Sequence, residues 1–304
     1  MLIQGDCVKR IVASGGGDLE VPAGKSYLVR RLYAEPSGND TFLTLRVDRK
    51  TVGAYRIGGK SGNHLSFYTE GNFKRNLMEF LESRGINVSI PVAEGQTFNV
   101  SRYAETGEVV IVYDQYSAGD IRADMANGSD AKEYTFIQYM NNSATKAVSG
   151  DLEMDESNSP AEFPDFPCSA VVPARHKIEI LGLAGHPTGH KTTGDNYILS
   201  TFVKMIKDRE TLFDEDRAGI VFRAKKPSED KTMYRIDFSL IGASVMSSYS
   251  QADEIASDPL MFVPSLVFES GEELLIYVTF ALTGSDTLPA DTVDLAAIMK
   301  VSTS

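Results

Sequence analysis

The chain has 304 residues, 42% of them hydrophobic and 24% charged, with a formal net charge of -12. That length holds one large domain or two of ordinary size, and the composition is that of a folded chain rather than a disordered one. The acidic balance argues against a general nucleic-acid binder, which would be basic on at least one face.

The charge is uneven, since residues 1–80 hold twelve Lys/Arg against eight Asp/Glu. Such an excess reads first as a solvated surface with chance clustering, and a basic face that meets an acidic neighbour or an anionic surface is the alternative. The opening MLIQGDCVKR has no apolar core followed by a small-residue cleavage site, so no export signal is predicted. No run of eighteen apolar residues predicts a membrane span. Cys7 and Cys168 lie far apart, form no metal-type spacing, and are expected to stay reduced.

In chain order, ASGGGDLE is read as a flexible turn. Its glycines precede a strand-like segment, whereas a phosphate cradle requires a helix amino terminus. In SYLVRRLYA the alternation places Tyr27, Val29, Arg31 and Tyr33 on one face and Leu28, Arg30, Leu32 and Ala34 on the other. TFLTLRV groups Leu43, Leu45 and Val47, and QTFNVSRY, EVVIVYD and EYTFIQY continue the period of two. One segment departs from it. GNFKRNLMEFLESRG has Phe73, Leu77, Phe80 and Leu81 at helical spacing and Gly85 as a stop, which predicts a helix over about 73–84. SQADEIASD, about 250–257, is a weaker helical candidate.

Residues 150–167, GDLEMDESNSPAEFPDFP, hold six acids, three prolines and no base, a poor strand and a good connector. Just beyond it the chain repeats itself. VPAGKSYLVRRLYAEPSG from Val21 and VPARHKIEILGLAGHPTG from Val172 share six identities without a gap, at Val21/Val172, Pro22/Pro173, Ala23/Ala174, Leu32/Leu183, Pro36/Pro187 and Gly38/Gly189. NYILSTFV then follows as TFLTLRV did, and VFESGEELLIYV resembles PVAEGQTFNVSRY. YTFIQY is expected to close the first half and VDLAAIMKV the second, while KDRETLFDEDRAG is read as one of the longer loops of the second. The expected fold class is all-β: two tandem eight-stranded antiparallel jelly rolls with one short helix in the first half. The expected division is 1–150 for the first jelly roll, 151–167 for the connector and 168–304 for the second. An immunoglobulin-like sandwich is the competitor; its Cys…Trp…Cys signature is impossible in a chain without Trp.

Chemistry-bearing patterns are sparse. His186 and His190 lie in a Pro- and Gly-containing loop, His64 and His176 are scattered, and no His-x-His occurs. Asp124, Asn127 and Asp130, and Asp214, Glu215 and Asp216, are acidic loops without EF-hand spacing. No Gly-x-Ser-x-Gly elbow is present. Tyr55, Tyr68, Tyr103 and Tyr249 could form a sugar platform, but tyrosines at alternating positions are expected to pack. No catalytic, cofactor-binding or metal residue is predicted, and no enzyme activity.

The opening strand, the following TFLTLRVDRKTVGAYR, the helix and the second copy from Val172 together resemble the double jelly-roll major capsid proteins of tailless icosahedral viruses, the adenovirus hexon and corticovirus-type lineage. That resemblance implies a homotrimer whose six barrels form a pseudo-hexagonal capsomer, located in the virion. Its partners would be neighbouring capsomers, minor capsid proteins and an internal membrane, with no cofactor and no sequence-specific nucleic acid binding. The early basic residues Arg30, Arg31, Arg46, Arg49 and Lys50 would meet an acidic segment of an adjacent subunit or an anionic membrane face. A phage spike or vertex protein, and a two-domain β-sandwich binding or adhesion protein, are the alternatives.

Overall fold

The computed structural model describes residues 1–12, 17–34, 42–56, 76–102, 107–141, 150–153, 171–184, 198–214, 260–282 and 294–304. Within them the chain is all-β with antiparallel sheets and one short helix. One sheet has the order β1 (Leu2–Val12), β8 (Glu108–Ser117), β3 (Lys25–Ala34), β6 (Ile90–Val92). A second has β2 (Gly17–Glu20), β7 (Thr97–Arg102), β4 (Phe42–Val47), β5 (Lys50–Arg56). Their inner faces share one core, in which Val29, Leu32, Leu43, Leu45, Phe98, Val100, Val109 and Ile111 are buried. Each such side chain contributes roughly 1.5–3 kcal/mol on leaving water.

Two further sheets use the strands from β9 (Glu133–Asn141) onward. One has the order β14 (Leu260–Phe268), β11 (His176–Ala184), β16 (Asp294–Thr303), β9. The other runs β10 (Gly150–Glu153), β15 (Leu274–Leu282), β12 (Ile198–Lys207), β13 (Glu210–Asp214). Raising every strand number of the first two sheets by eight reproduces these orders, one of them read from the opposite edge.

The repeat extends to irregularities. A register shift between Val29 and Arg31 in β3 recurs between Ile180 and Gly182 in β11, 151 positions on. A second, at Val52 in the β4–β5 hairpin, recurs at Leu212 in the β12–β13 hairpin, 160 positions on. A bulge inserts one residue and changes which face the following side chains take. Hence β3 does not keep one alternation. Tyr27 and Val29 are buried before the bulge, Leu32 and Ala34 after it, and Arg30 and Arg31 both stay half-exposed.

Three expectations are revised. YTFIQY does not close the first half: β9 pairs along its whole length with β16, Glu133 opposite Ser302 and Asn141 opposite Asp294. Gly150–Glu153, at the head of the expected connector, pairs with β15. KDRETLFD is not a loop but a hairpin, turning at Asp208 and Arg209 with φ of 46° and 71°.

The helix α1 (Leu77–Ser83) is shorter than expected, and Phe73 lies outside the described residues. Asn76 Oδ1 accepts the N–H groups of Met78 and Glu79 at 3.0 and 3.2 Å, which caps the first turn. Gly85, at φ 77°, donates to Glu82 O and Ile86 donates to Leu81 O, the Schellman termination that a glycine permits. Leu77, Met78, Phe80 and Leu81 face the core. Asn76 Nδ2 also donates to Leu32 O at 2.8 Å, on a stretch of β3 beyond its ladder with β6. The matching stretch of β11, Gly182–Leu183, is paired with Met261 and Leu260 of β14. The helix cap thus serves the first half where a longer edge strand serves the second. The second helical candidate, 250–257, lies outside the described residues.

Candidate interaction surfaces

The two VPA stretches form the same turn. Val21 N–H donates to Gln96 O and the Val21 carbonyl accepts Gly95 N–H; Val172 N–H donates to Glu272 O and the Val172 carbonyl accepts Gly271 N–H, all within 2.9–3.1 Å. Lys25 N–H closes onto Pro22 O, and His176 N–H onto Pro173 O. Gly24 and Arg175 hold the left-handed position at φ 80° and 64°. Ala118 N–H then donates to Gly24 O as Ser304 N–H does to Arg175 O, and Ser117 N–H donates to Met1 O as Thr303 N–H does to Lys132 O. By these bonds Met1 corresponds to Lys132.

A second pair of equivalents escaped the sequence reading. Asp48-Arg49-Lys50-Thr51 and Asp208-Arg209-Glu210-Thr211 share three of four residues, and this match was the available signal. Asp48 Oδ1 accepts Thr97 N–H at 3.0 Å, and Asp208 Oδ1 accepts Glu273 N–H at 2.9 Å. Each half therefore carries a corner where the start of one strand, a hairpin turn and an acid-Gly turn are locked together.

Arg30 and Arg31, expected to reach an outside partner, are engaged within the chain. Arg30 pairs with Glu82 and, at 3.3 Å, with Asp114; Arg31 pairs with Glu82 at 3.1 Å and Glu79 at 3.7 Å. Tyr33 Oη donates to Glu79. Hydrogen bonds from Arg30 and Arg31 hold the Glu82 carboxyl below its ordinary range, and Glu82 raises both guanidiniums. Burial first, and the Glu79 bond second, push Tyr33 up. These bonds staple α1 to β3. Arg49 and Lys50 differ: both are exposed on the β4–β5 turn, and no carboxylate among the described residues pairs with them.

Beside that turn lies a cleft of about 430 Å³ between β5 and β9. Arg49 and Lys50 form its rim, and Val52, Gly128, Tyr134 and Phe136 line it. The Tyr134 and Phe136 rings meet edge-on, 6.5 Å apart. Asn127, one of the acidic-loop candidates, is buried here at φ 62°. Its amide donates to Asn87 O at 2.8 Å and Ser89 O at 3.2 Å, and its carbonyl accepts Thr135 N–H at 2.6 Å. It is a fastener, its side chain wholly used. Asp124 pairs with Arg122, and Asp130 is exposed. Asp214 ends β13, and Glu215 and Asp216 lie outside the described residues. Among the described residues no three His, Cys, Asp or Glu come together in a metal-holding group.

His176 sits in the second VPA turn with Nδ1 3.0 Å from Ala174 O; His64, His186, His190 and Cys168 lie outside the described residues. Cys7 is buried and accepts Gln115 Nε2 at 3.1 Å. Tyr55 packs in the core, while Tyr68, Tyr103 and Tyr249 lie outside the described residues. Two sheet edges expose apolar side chains, β1 through Leu2, Ile3 and Val8 and β14 through Val263. No described helix is long and apolar enough to cross a membrane. No family model matches the chain, and no curated protein is similar to it in sequence.

Proposed function

We propose that this chain is the major capsid subunit of an icosahedral shell, each half an eight-stranded jelly roll. Three copies then form a pseudo-hexagonal capsomer within the virion, with neighbouring capsomers, minor capsid proteins and an internal membrane as partners. The observation that carries the reading is the duplication itself: eight strands in the order β1-β8-β3-β6 facing β2-β7-β4-β5, followed by the same orders raised by eight. Strands nested in this way, first beside last, are the wrapping of a jelly roll. The two units would then divide within 118–132, because among the described residues β9 and β10 take their ladder partners from strands of the second.

Duplication of a rigid wall has a mechanical use. Three chains with two similar barrels each present six similar sides, which closes a ring without requiring six separate chains. The matched bulges and turns favour barrels of similar shape, as tiling demands. Electron microscopy of the purified protein in negative stain tests the reading. Shells or pseudo-hexagonal trimers are expected; dispersed monomers at every concentration would overturn it.

A further inference from the structure

The two equivalent corners have diverged in charge. In the first, Lys25, Arg49 and Lys50 stand with Asp48 and Glu94, three cations against two carboxylates. In the second, Arg175, Lys177, Lys207 and Arg209 stand with Asp208, Glu210, Glu269, Glu272 and Glu273, four cations against five carboxylates. The change is concentrated at four matched positions, where Lys50, Ala93, Gln96 and Thr97 become Glu210, Glu269, Glu272 and Glu273. The backbone bonds are kept while the sign reverses; Glu269 and Glu272 pair with Lys177 and Lys207, and Glu273 accepts Arg209 N–H, which leaves Glu210 as the exchange that no partner among the described residues explains.

The shapes differ too. The first corner borders the cleft, with its cationic rim and Val52, Tyr134 and Phe136 inside. The second projects a hairpin on which Glu210 is exposed, without a carboxylate-binding partner among the described residues, and Leu212 is 40% exposed. Leu212 is the counterpart of Val52, which the first half keeps inside its cleft. An acid beside an uncovered leucine is the chemical complement of cations beside an apolar wall.

We propose that the tip of the β12–β13 hairpin of one copy docks in the β5–β9 cleft of the next, Glu210 against Arg49 and Lys50, and Leu212 against Val52 and the two rings. The contact joins unlike surfaces, so it runs head to tail and closes a ring only if its rotation allows. It rests on the capsid reading, for which it supplies the order in which first and second halves alternate. Opposite charges fix such a register and like charges oppose it.

The test is sedimentation velocity of the full chain at low salt, for wild type, Lys50→Glu, Glu210→Lys and the two together. Each single reversal is expected to raise the concentration needed for assembly about tenfold or more, and the double reversal to restore most of it. Singles that assemble as wild type does would overturn the contact and leave the capsid reading standing. A wild type that stays monomeric would overturn both. Should a reversed variant fail to fold, mixing separately made Lys50→Cys and Glu210→Cys chains decides the matter. Oxidation must yield a mixed dimer beyond what either chain gives alone, and its absence refutes the docking.

Discussion

Asp208 accepts the backbone N–H of Glu273 at 2.9 Å, tying the β12–β13 turn to the start of β15 across 65 positions of chain. Asp48 and Thr97 form the same bond at 3.0 Å in the first half. Both turns place an aspartate at positive φ, 54° for Asp48 and 46° for Asp208, a conformation that short polar side chains tolerate best. Replacing either by alanine removes the bond and strains the turn. Loss of about 1–2 kcal/mol is expected for each, and because the sites lie in separate corners the losses should add. Denaturant unfolding of the two single variants and the double reads this directly.

Gly24 and Arg175 fill one position with different residues. An alanine Cβ at Gly24 would meet nothing within 4 Å, so φ of 80° is the sole obstacle there. Gly24→Ala should cost about 1 kcal/mol. Arg175→Gly should stabilise by a few tenths to about 1 kcal/mol, since glycine enters the left-handed region freely but brings extra unfolded-state entropy. Opposite signs in thermal melts of the two variants are the expected result.

Asn127 and Gly128 set the join between the two sets of sheets. A Cβ at Gly128 would stand 2.1 Å from Ala123 O, a backbone atom that cannot turn aside. Gly128→Ala is therefore expected to destabilise by about 2–3 kcal/mol. Asn127→Asp keeps the shape but points a carboxylate at Asn87 O and Ser89 O, where the amide donated. It should cost about 2–3 kcal/mol at neutral pH, and less where the acid is protonated. Equilibrium unfolding at neutral and acid pH separates the two effects.

Glu82 links α1 to Arg30 and Arg31 and carries a pKa lowered from the ordinary 4.5. Its contribution is fully present above pH 4.5 and is lost as pH falls below that value through the folded pKa. With a third of the side chain exposed, solvent screening limits that contribution to about 1 kcal/mol or less. Glu82→Gln should lower stability by that amount at neutral pH, and the difference should shrink as pH falls below 4.5 through the folded pKa. Unfolding curves at neutral pH and at a series of lower pH values check it.

Much of the architecture was legible in local pattern. Leu43, Leu45 and Val47 alternate and are buried, and the VPA repeat marks two turns whose hydrogen bonds coincide. The stop at Gly85 is equally local, a left-handed residue that ends a helix whatever lies around it. The interaction surfaces were less legible. The Asp48–Thr51 and Asp208–Thr211 match was available in the sequence, but its meaning depends on Thr97 and Glu273, distant in the chain.

By itself the sequence determined that this is a β protein built twice, because side-chain period and turn chemistry act over a few residues. Only the tertiary structure decided that β9 belongs with β16, that Arg30 and Arg31 pair with Glu82, and that β3 changes face at its bulge. Each of those depends on which strand lies alongside. Partner choice is settled by the burial of whole faces brought together across the chain, which no short stretch of residues encodes.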